Sequence, residues 1–335
     1  MMRRHFVIGA VFCALGGTVP AVPAMAAEGE LEKAVLYIGW RAEAEFGGFF
    51  HALATGLYEK HGLDVEIQLG NPQSNPAPQL IAGKVNFTVG SSGTALNAAR
   101  EGAPITAVAA VFQKDPRIMV GHPDQGYEKL EDMVGHTAYV GALGMATFWP
   151  FLREEFGFRN EDVKPYTFSI APFVADKTAI QQGYATNEPH VLEMAGVKNP
   201  VTFLLHDYGY RPYAVNIMTT HDNVADRPDY VQKFVDASIE GWQDYLHGDP
   251  APGNALIKER NPDMADDVLE FALDAIRNGG FVDSEDAAEL GIGAMTDARW
   301  EEYYDTMVKS GVLPEGIDLS RAYTLQFVNK RVGLK

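Results

Sequence analysis

The sequence predicts an α/β fold of two lobes with a helical tail, a clamshell that the chain crosses twice. Three observations carry this reading. Strand and helix signals alternate over 35–112 and then again over 117–205. A further strand signal at 214–219 returns after the second series. From Asp226 onward the apolar spacing is helical and no strand signal follows.

In the first series, 35–40 reads as a buried strand. Residues 49–58 read as a helix stopped at Gly62, and 63–69 alternates apolar and polar as a strand does. The turn-rich loop 71–78 leads into a short helix ending near Gly83. A strand at 87–90 runs into Ser91, Ser92 and Gly93, and a helix over 94–100 stops at Gly102. The apolar run 104–112 reads as a strand buried on both faces. The second series reads as strand 117–120, helix 127–133, strand 136–140, a Gly-rich turn at 141–147 and a helix over 145–156. Strand 165–169, helix 176–182, a turn at 186–190 into another helix, and strand 201–205 complete it. Crossings near residues 114 and 214 assign 27–114 and 214–335 to lobe I and 115–213 to lobe II. In the tail, Asp226-Arg-Pro-Asp offers an N-cap and a first-turn proline. Val231, Phe234, Val235, Ile239, Trp242 and Leu246 keep helical spacing over 230–247, and helices follow at 251–260, 264–278, 285–290 and 297–310.

Residues 1–26 have the form of a secretory signal: Arg3 and Arg4, an apolar core over 6–15, and an Ala24-Met25-Ala26 cleavage site. The apolar core is too short for a membrane span, which needs roughly 20 residues. The chain is therefore expected to be exported, and the resemblance given below places it in the periplasm. Cys13, the only cysteine, falls inside this segment behind Phe12, where a lipoprotein signal wants a small residue. The mature chain then has no disulfide framework, no Cys-ligated metal and no Cys nucleophile. Loss of Arg3 and Arg4 takes the formal charge from −18 to −20, which disfavours nucleic acid and anionic membrane as partners. There is no H-E-x-x-H, and Gly90-Ser-Ser-Gly93 is not the G-x-S-x-G elbow of hydrolases. No enzyme activity, metal or cofactor is expected.

Four segments, in order, resemble one family. They are Gly56-Leu-Tyr-Glu-Lys-His-Gly-Leu-Asp-Val-Glu-Ile67, then Leu80-Ile-Ala-Gly-Lys-Val-Asn-Phe-Thr-Val-Gly90 with Asn86 where the family has Asp. Tyr127-Glu-Lys-Leu-Glu-Asp-Met-Val-Gly135 and Gln182-Gly-Tyr-Ala-Thr-Asn-Glu-Pro189 follow. The chain resembles periplasmic solute-binding proteins of ABC importers, in the branch that carries nitrate, sulfonates, taurine and the pyrimidine precursor of thiamine. The resemblance implies a type II periplasmic binding protein fold. Two hinged lobes would close on one small molecule and hand it, as a monomer, to a permease in the inner membrane. An iron-dependent enzyme relative has a cysteine-rich signature that this chain lacks.

Candidate contacts lie at strand ends and helix starts. Trp40 ends the first strand and offers a flat apolar face. Phe46 and Phe49 flank Gly47 and Gly48, whose bare backbone allows close approach to a ligand; His51 lies just beyond. Ser91, Ser92, Gly93 and Thr94 offer hydroxyls and free N–H groups at a helix start. Gly144, Met145, Ala146 and Thr147 are their counterpart in lobe II, with Phe148 or Trp149 as a facing aromatic wall. Gln113 sits at the first crossing. Asn187, Glu188 and Tyr208 sit near the second, and the Glu188 carboxylate suits an amino group or a ring N–H pair. Each residue also has an ordinary use in packing, capping or hinge bonding. The expected ligand is a small aromatic or heteroaromatic solute, for example a pyrimidine thiamine precursor. An aliphatic sulfonate such as taurine is the alternative, disfavoured because the loops hold no Arg/Lys pair. A sensory subunit would have the same sequence features.

Overall fold

The computed structural model describes residues 30–335 apart from 72, 73, 75, 333 and 335. The predicted signal and Cys13 lie outside the described residues. The first lobe begins with β1 (Glu32–Ile38), a 3-10 turn at Ala44–Phe46, α1 (Gly47–Ala54) and α2 (Leu57–Lys60). It continues with β2 (Leu63–Leu69), α3 (Ala77–Ile81), β3 (Phe87–Gly90), α4 (Ser92–Arg100) and β4 (Ile105–Phe112). The second lobe contains β5 (Arg117–Gly121), a 3-10 turn at Leu130–Met133, β6 (Ala138–Val140), α5 (Ala142–Ala146) and α6 (Phe148–Phe156). Next come β7 (Val163–Pro165), α7 (Ala171–Ala175), β8 (Ile180–Tyr184), α8 (Glu188–Met194) and β9 (Val201–Leu204). The chain returns through β10 (Ala214–Thr220) and ends in α9 (His221–Asp226), α10 (Pro228–His247), α11 (Ala251–Arg260), α12 (Asp266–Gly279), α13 (Ala287–Leu290) and α14 (Asp297–Lys309).

The strand orders are β2-β1-β3-β10-β4 in one sheet and β7-β6-β8-β5-β9 in the other. In each sheet the strand antiparallel to its neighbours is the one delivered by a crossing, β10 in the first and β5 in the second. The remaining neighbours are parallel, so their loops and helix starts gather at the carboxyl ends of the strands, where ligands of open α/β sheets sit.

β2 buries Leu63, Val65 and Ile67 and exposes Asp64 and Glu66, which fixes its register on β1. All eight residues of β4 are buried. Its outer edge is covered by the tail through bridges from Ala107 to Tyr323 and from Ala110 to Gly293. Gly47 and Gly48 have a packing role: a Cβ on Gly47 would lie 2.2 Å from the Tyr245 ring, and one on Gly48 would lie 2.2 Å from Trp242. Their bare backbone lets α10 lie against α1, and the expected approach to a ligand is replaced by a helix contact.

Several elements differ from the sequence reading. The helix expected over 49–58 is two helices, broken by the left-handed Gly56 at φ 72°. The helix expected over 127–133 is only the 3-10 turn. The helix expected over 145–156 breaks at Thr147 because Pro150 has no N–H to continue the ladder from α5; it sits instead in the first turn of α6. The strand expected at 165–169 ends at Pro165. Residues 176–182, read as a helix, lead into β8, the central strand of its sheet. Its buried Gln181 and Gln182 gave it a polar pattern that hides a buried strand.

Candidate functional site

Residues following the carboxyl ends of strands in both sheets meet between the lobes. After β1 come Trp40, Glu43 and Glu45; after β7 come Tyr166 and Phe168; after β8 come Thr186 and Glu188. The Trp40 and Phe168 rings meet edge to face, centroids 5.2 Å apart at 64°. Phe168 also lies 5.2 Å from Tyr166. It is 52% exposed and has a left-handed backbone, φ 64°. For a bulky residue that conformation is strained, and such strain gathers at ligand clamps.

Below the rings, the Thr186 hydroxyl donates to the buried Glu45 carboxyl across the lobes. Glu188 turns back over its own strand. Its Oε2 accepts from the Tyr184 N–H at 2.6 Å, and its Oε1 accepts from the Tyr166 hydroxyl at 3.4 Å. Loss of water raises the Glu188 pKa to about 7. The same cause, reinforced by the Glu45 charge, raises Glu43 to about 8, and burial raises Glu45 as well. A crevice is lined by Glu43, Glu45, Thr186 and Asn187 over Met264, Val268 and Ala272. It holds only ≈ 10 Å³ of space, far below the roughly 300 Å³ at which ligand pockets begin, so a small molecule would enter only with the lobes parted.

A second group lies toward the crossings. The Arg117 guanidinium sits 5.0 Å from the Phe148 ring and 4.8 Å from that of Tyr184, and it donates to the Tyr184 hydroxyl at 2.9 Å. Its Nε lies 3.9 Å from Asp115. The Tyr210 and Tyr303 hydroxyls are 3.4 Å apart, and Gly93 is close enough that a Cβ there would come within 3.1 Å of the Tyr303 oxygen. Burial raises the Tyr210 pKa to about 12, so it stays a neutral hydrogen-bonding group.

The structure brings some of the predicted residues together here and uses others elsewhere. Trp40, Gly93, Asn187 and Glu188 lie at the lobe junction. Ser91 and Thr94 form a reciprocal capping box at the start of α4. Ser91→Ala is expected to cost about 1 kcal/mol, read from the urea midpoint. Ser92 is buried; its Oγ accepts from the Tyr213 N–H at 3.0 Å and its own N–H bonds the Tyr213 carbonyl, which ties α4 to the second crossing. Gln113 has a fully buried side chain that donates to the carbonyls of Ala110 and Ala294. Gly144 packs under Gln182 and Phe148, and Thr147 donates back to the Leu143 carbonyl at 2.7 Å. Met145 is half-buried against the core and Ala146 is exposed on the same short helix. Phe148 is fully buried beneath Arg117, so Phe168 faces Trp40 instead; Trp149 is core, its indole bonded to Asn160.

Four expectations give way to packing. Phe49 is fully buried edge-on to Trp242. Phe46 is half-buried against the core. His51 is buried beneath α11, where Gly253 leaves room for it. Tyr208 packs between Phe156 and Phe203, both residues of the second lobe. The sequence reading missed Glu43, Glu45, Arg117, Phe168, Tyr184 and Thr186. The available signal was position: each begins, ends or follows a strand beside the junction.

A family model described as NMT1/THI5 like matches residues 43–251. The riboflavin-binding protein RibY of Chloroflexus aurantiacus is 25% identical over 316 residues, covering 92% of this chain and 89% of its own length. Among solved structures, the periplasmic aliphatic sulphonate binding protein SsuA from Escherichia coli matches with a TM-score of 0.66 at 11% identity, covering 87% of this chain and 91% of that one. The alkanesulfonate-binding protein SsuA from Xanthomonas axonopodis pv. citri, bound to MOPS, gives 0.62 at 14% identity, covering 88% and 99%. These likenesses identify the two-lobe fold of periplasmic binding proteins.

Proposed function

The chain belongs to the NMT1/THI5-like family, and from that we propose that it is the extracytoplasmic solute-binding component of an ABC importer, taking a small planar heteroaromatic molecule between its lobes. The observation that carries this reading is the pairing of Trp40 with Phe168 above Glu43, Glu45 and Glu188. Two aromatic walls from opposite lobes suit the faces of a ring, and carboxyl groups beneath suit its N–H edge. A sulfonate would need a free cation facing it. Of the arginines near the junction, Arg117 is engaged by Asp115 and Tyr184, and Arg41 pairs with Asp263. A riboflavin-binding relative agrees with a heteroaromatic ligand. Binding involves no bond making; closure of the lobes removes the solute from water and presents a closed form to the permease.

Titration calorimetry with riboflavin, an aminopyrimidine and taurine tests the reading. A ring compound is expected to bind at micromolar or tighter Kd, about −8 kcal/mol. Tight taurine binding with no heat from either ring would overturn it.

A further inference from the structure

We propose that Arg299 is the positioning residue of the hinge, its single guanidinium holding both crossing segments so that the lobes turn about one axis. This rests on the closure reading above. The side chain is 6% exposed, and it starts from the first turn of α14, where Thr296 caps the helix. Its Nη2 donates to the Gln113 carbonyl at 3.0 Å, on the first crossing. Its Nε donates to the Arg211 carbonyl at 2.9 Å, on the second. Its Nη1 donates to Glu285 Oε2 at 3.2 Å.

Glu285 belongs to the same device. Its Oε2 also accepts from Arg211 Nη2 at 2.7 Å, and its Oε1 lies 3.4 Å from His206 Nε2. Its backbone is left-handed at φ 51°, a strained setting for glutamate. The tail adds further ties: the Phe281 carbonyl accepts from the Gln113 N–H at 2.7 Å, and Asp286 accepts from the Tyr213 hydroxyl.

The mechanical consequence follows from the planar guanidinium fork. Two carbonyls, one on each crossing, are pinned to one rigid group. The crossings cannot slide past each other without breaking a charge-assisted bond in a buried place. Rotation about the line through the two carbonyls breaks neither. The lobes are left with hinge motion and lose shear. A lysine at 299 is a point donor and cannot hold both carbonyls in a fixed relation.

Spin labels on Lys84→Cys and Lys164→Cys, exposed on different lobes, test this in a Cys13→Ser background, measured without any ligand. The parent is expected to give one narrow distance distribution. Arg299→Lys is expected to widen it at least twofold while circular dichroism stays native. Glu285→Gln, which keeps Arg299 but removes the anion it shares with Arg211, serves if Arg299→Lys does not fold, and it too is expected to widen the distribution. Glu302→Gln, which loses only the outer bond to Arg211, is expected to leave the width unchanged. An unchanged width in a folded Arg299→Lys, or in Glu285→Gln where the lysine variant does not fold, overturns the proposal, as does equal widening by Glu302→Gln. Because no ligand is present, failure of the ring titrations leaves this result standing, and the reverse holds too.

Discussion

Raising the pH from 6.5 to 9 is expected to remove about 2 kcal/mol of unfolding free energy, and the Glu43→Gln/Glu188→Gln double variant is expected to lose most of that slope. Both carboxyls have folded-state pKa values above their ordinary one: Glu43 at about 8 through loss of water and then the Glu45 charge, Glu188 at about 7 through loss of water. Such groups are bound to a proton in the folded state and have released it in the unfolded chain. Their contribution is fully present below about pH 4.5 and is lost as the pH climbs through 7 and then 8. Between pH 4 and 6.5 the slope is opposed by His206, whose pKa burial and then Arg299 lower to about 4, and by His51, also lowered by burial. Those histidines lose stability as the pH falls, which makes 6.5 to 9 the window in which the carboxyls dominate. Parting of the lobes hydrates the carboxylates and limits the loss. Urea titrations at pH 6.5, 7.5 and 9 measure it. Parallel profiles for parent and double variant would mean that these carboxyls are already ionised and wet at pH 6.5.

Much of the fold was legible because periodicity follows burial. β2 alternates and is half-buried; β4 is uniformly apolar and is buried along its length. The long apolar stripe of α10 predicted its span closely. β8 was illegible for the same reason inverted. Ile180-Gln-Gln-Gly-Tyr184 has two amides and a glycine, yet the topology places it at the centre of a sheet. Gly141 donates to Gln182, so one of those amides serves as a bracket for the next strand's loop. Tertiary burial overrode local preference there. The break between α5 and α6 was readable from Pro150, and the missed step was the weight given to its absent N–H.

The candidate site divides along a different line. Trp40 and the 91–94 turn stood out because strand ends and helix starts are visible in sequence; Trp40 lies at the junction, while Ser91 and Thr94 cap α4 and Ser92 ties it to the second crossing. Phe49 and His51 were misplaced because a glycine pair looks the same whether a ligand or a helix lies over it, and here Trp242 and Tyr245 lie over it from nearly two hundred residues away. Glu45 and Thr186 are unremarkable alone; only the return of the chain brings the donor of one lobe to the acceptor of the other. Phe168 was read as the inside of a strand. Its left-handed backbone carries no sequence mark, since a residue there is normally glycine or asparagine.

That same backbone yields the sharpest separation of stability from function. Phe168→Gly is expected to make the ligand-free protein more stable by about 1 kcal/mol, because glycine enters the left-handed region without the strain a phenylalanine carries there. The ring is half in water, so its removal forfeits the Trp40 and Tyr166 contacts but not a full side chain's burial, and the gain stated is net of that loss. Binding should move the other way. An aromatic wall stacked on a heteroaromatic ring is worth about 1–3 kcal/mol, which corresponds to a Kd weakened roughly 5- to 150-fold. In the present form the two rings are 5.2 Å apart, and a ring inserted face to face needs about 7 Å between them. On the proposed reading, a ring bound there would break the Trp40–Phe168 contact, and part of the binding energy would be spent in parting them. A Trp40→Phe variant keeps a wall and should lose much less than Phe168→Gly. Thermal melts without ligand and calorimetric titrations with riboflavin or an aminopyrimidine read both effects on one preparation. A Phe168→Gly protein that is more stable and binds its ring as tightly as the parent would remove Phe168 from the site and leave its strained backbone without a purpose in binding.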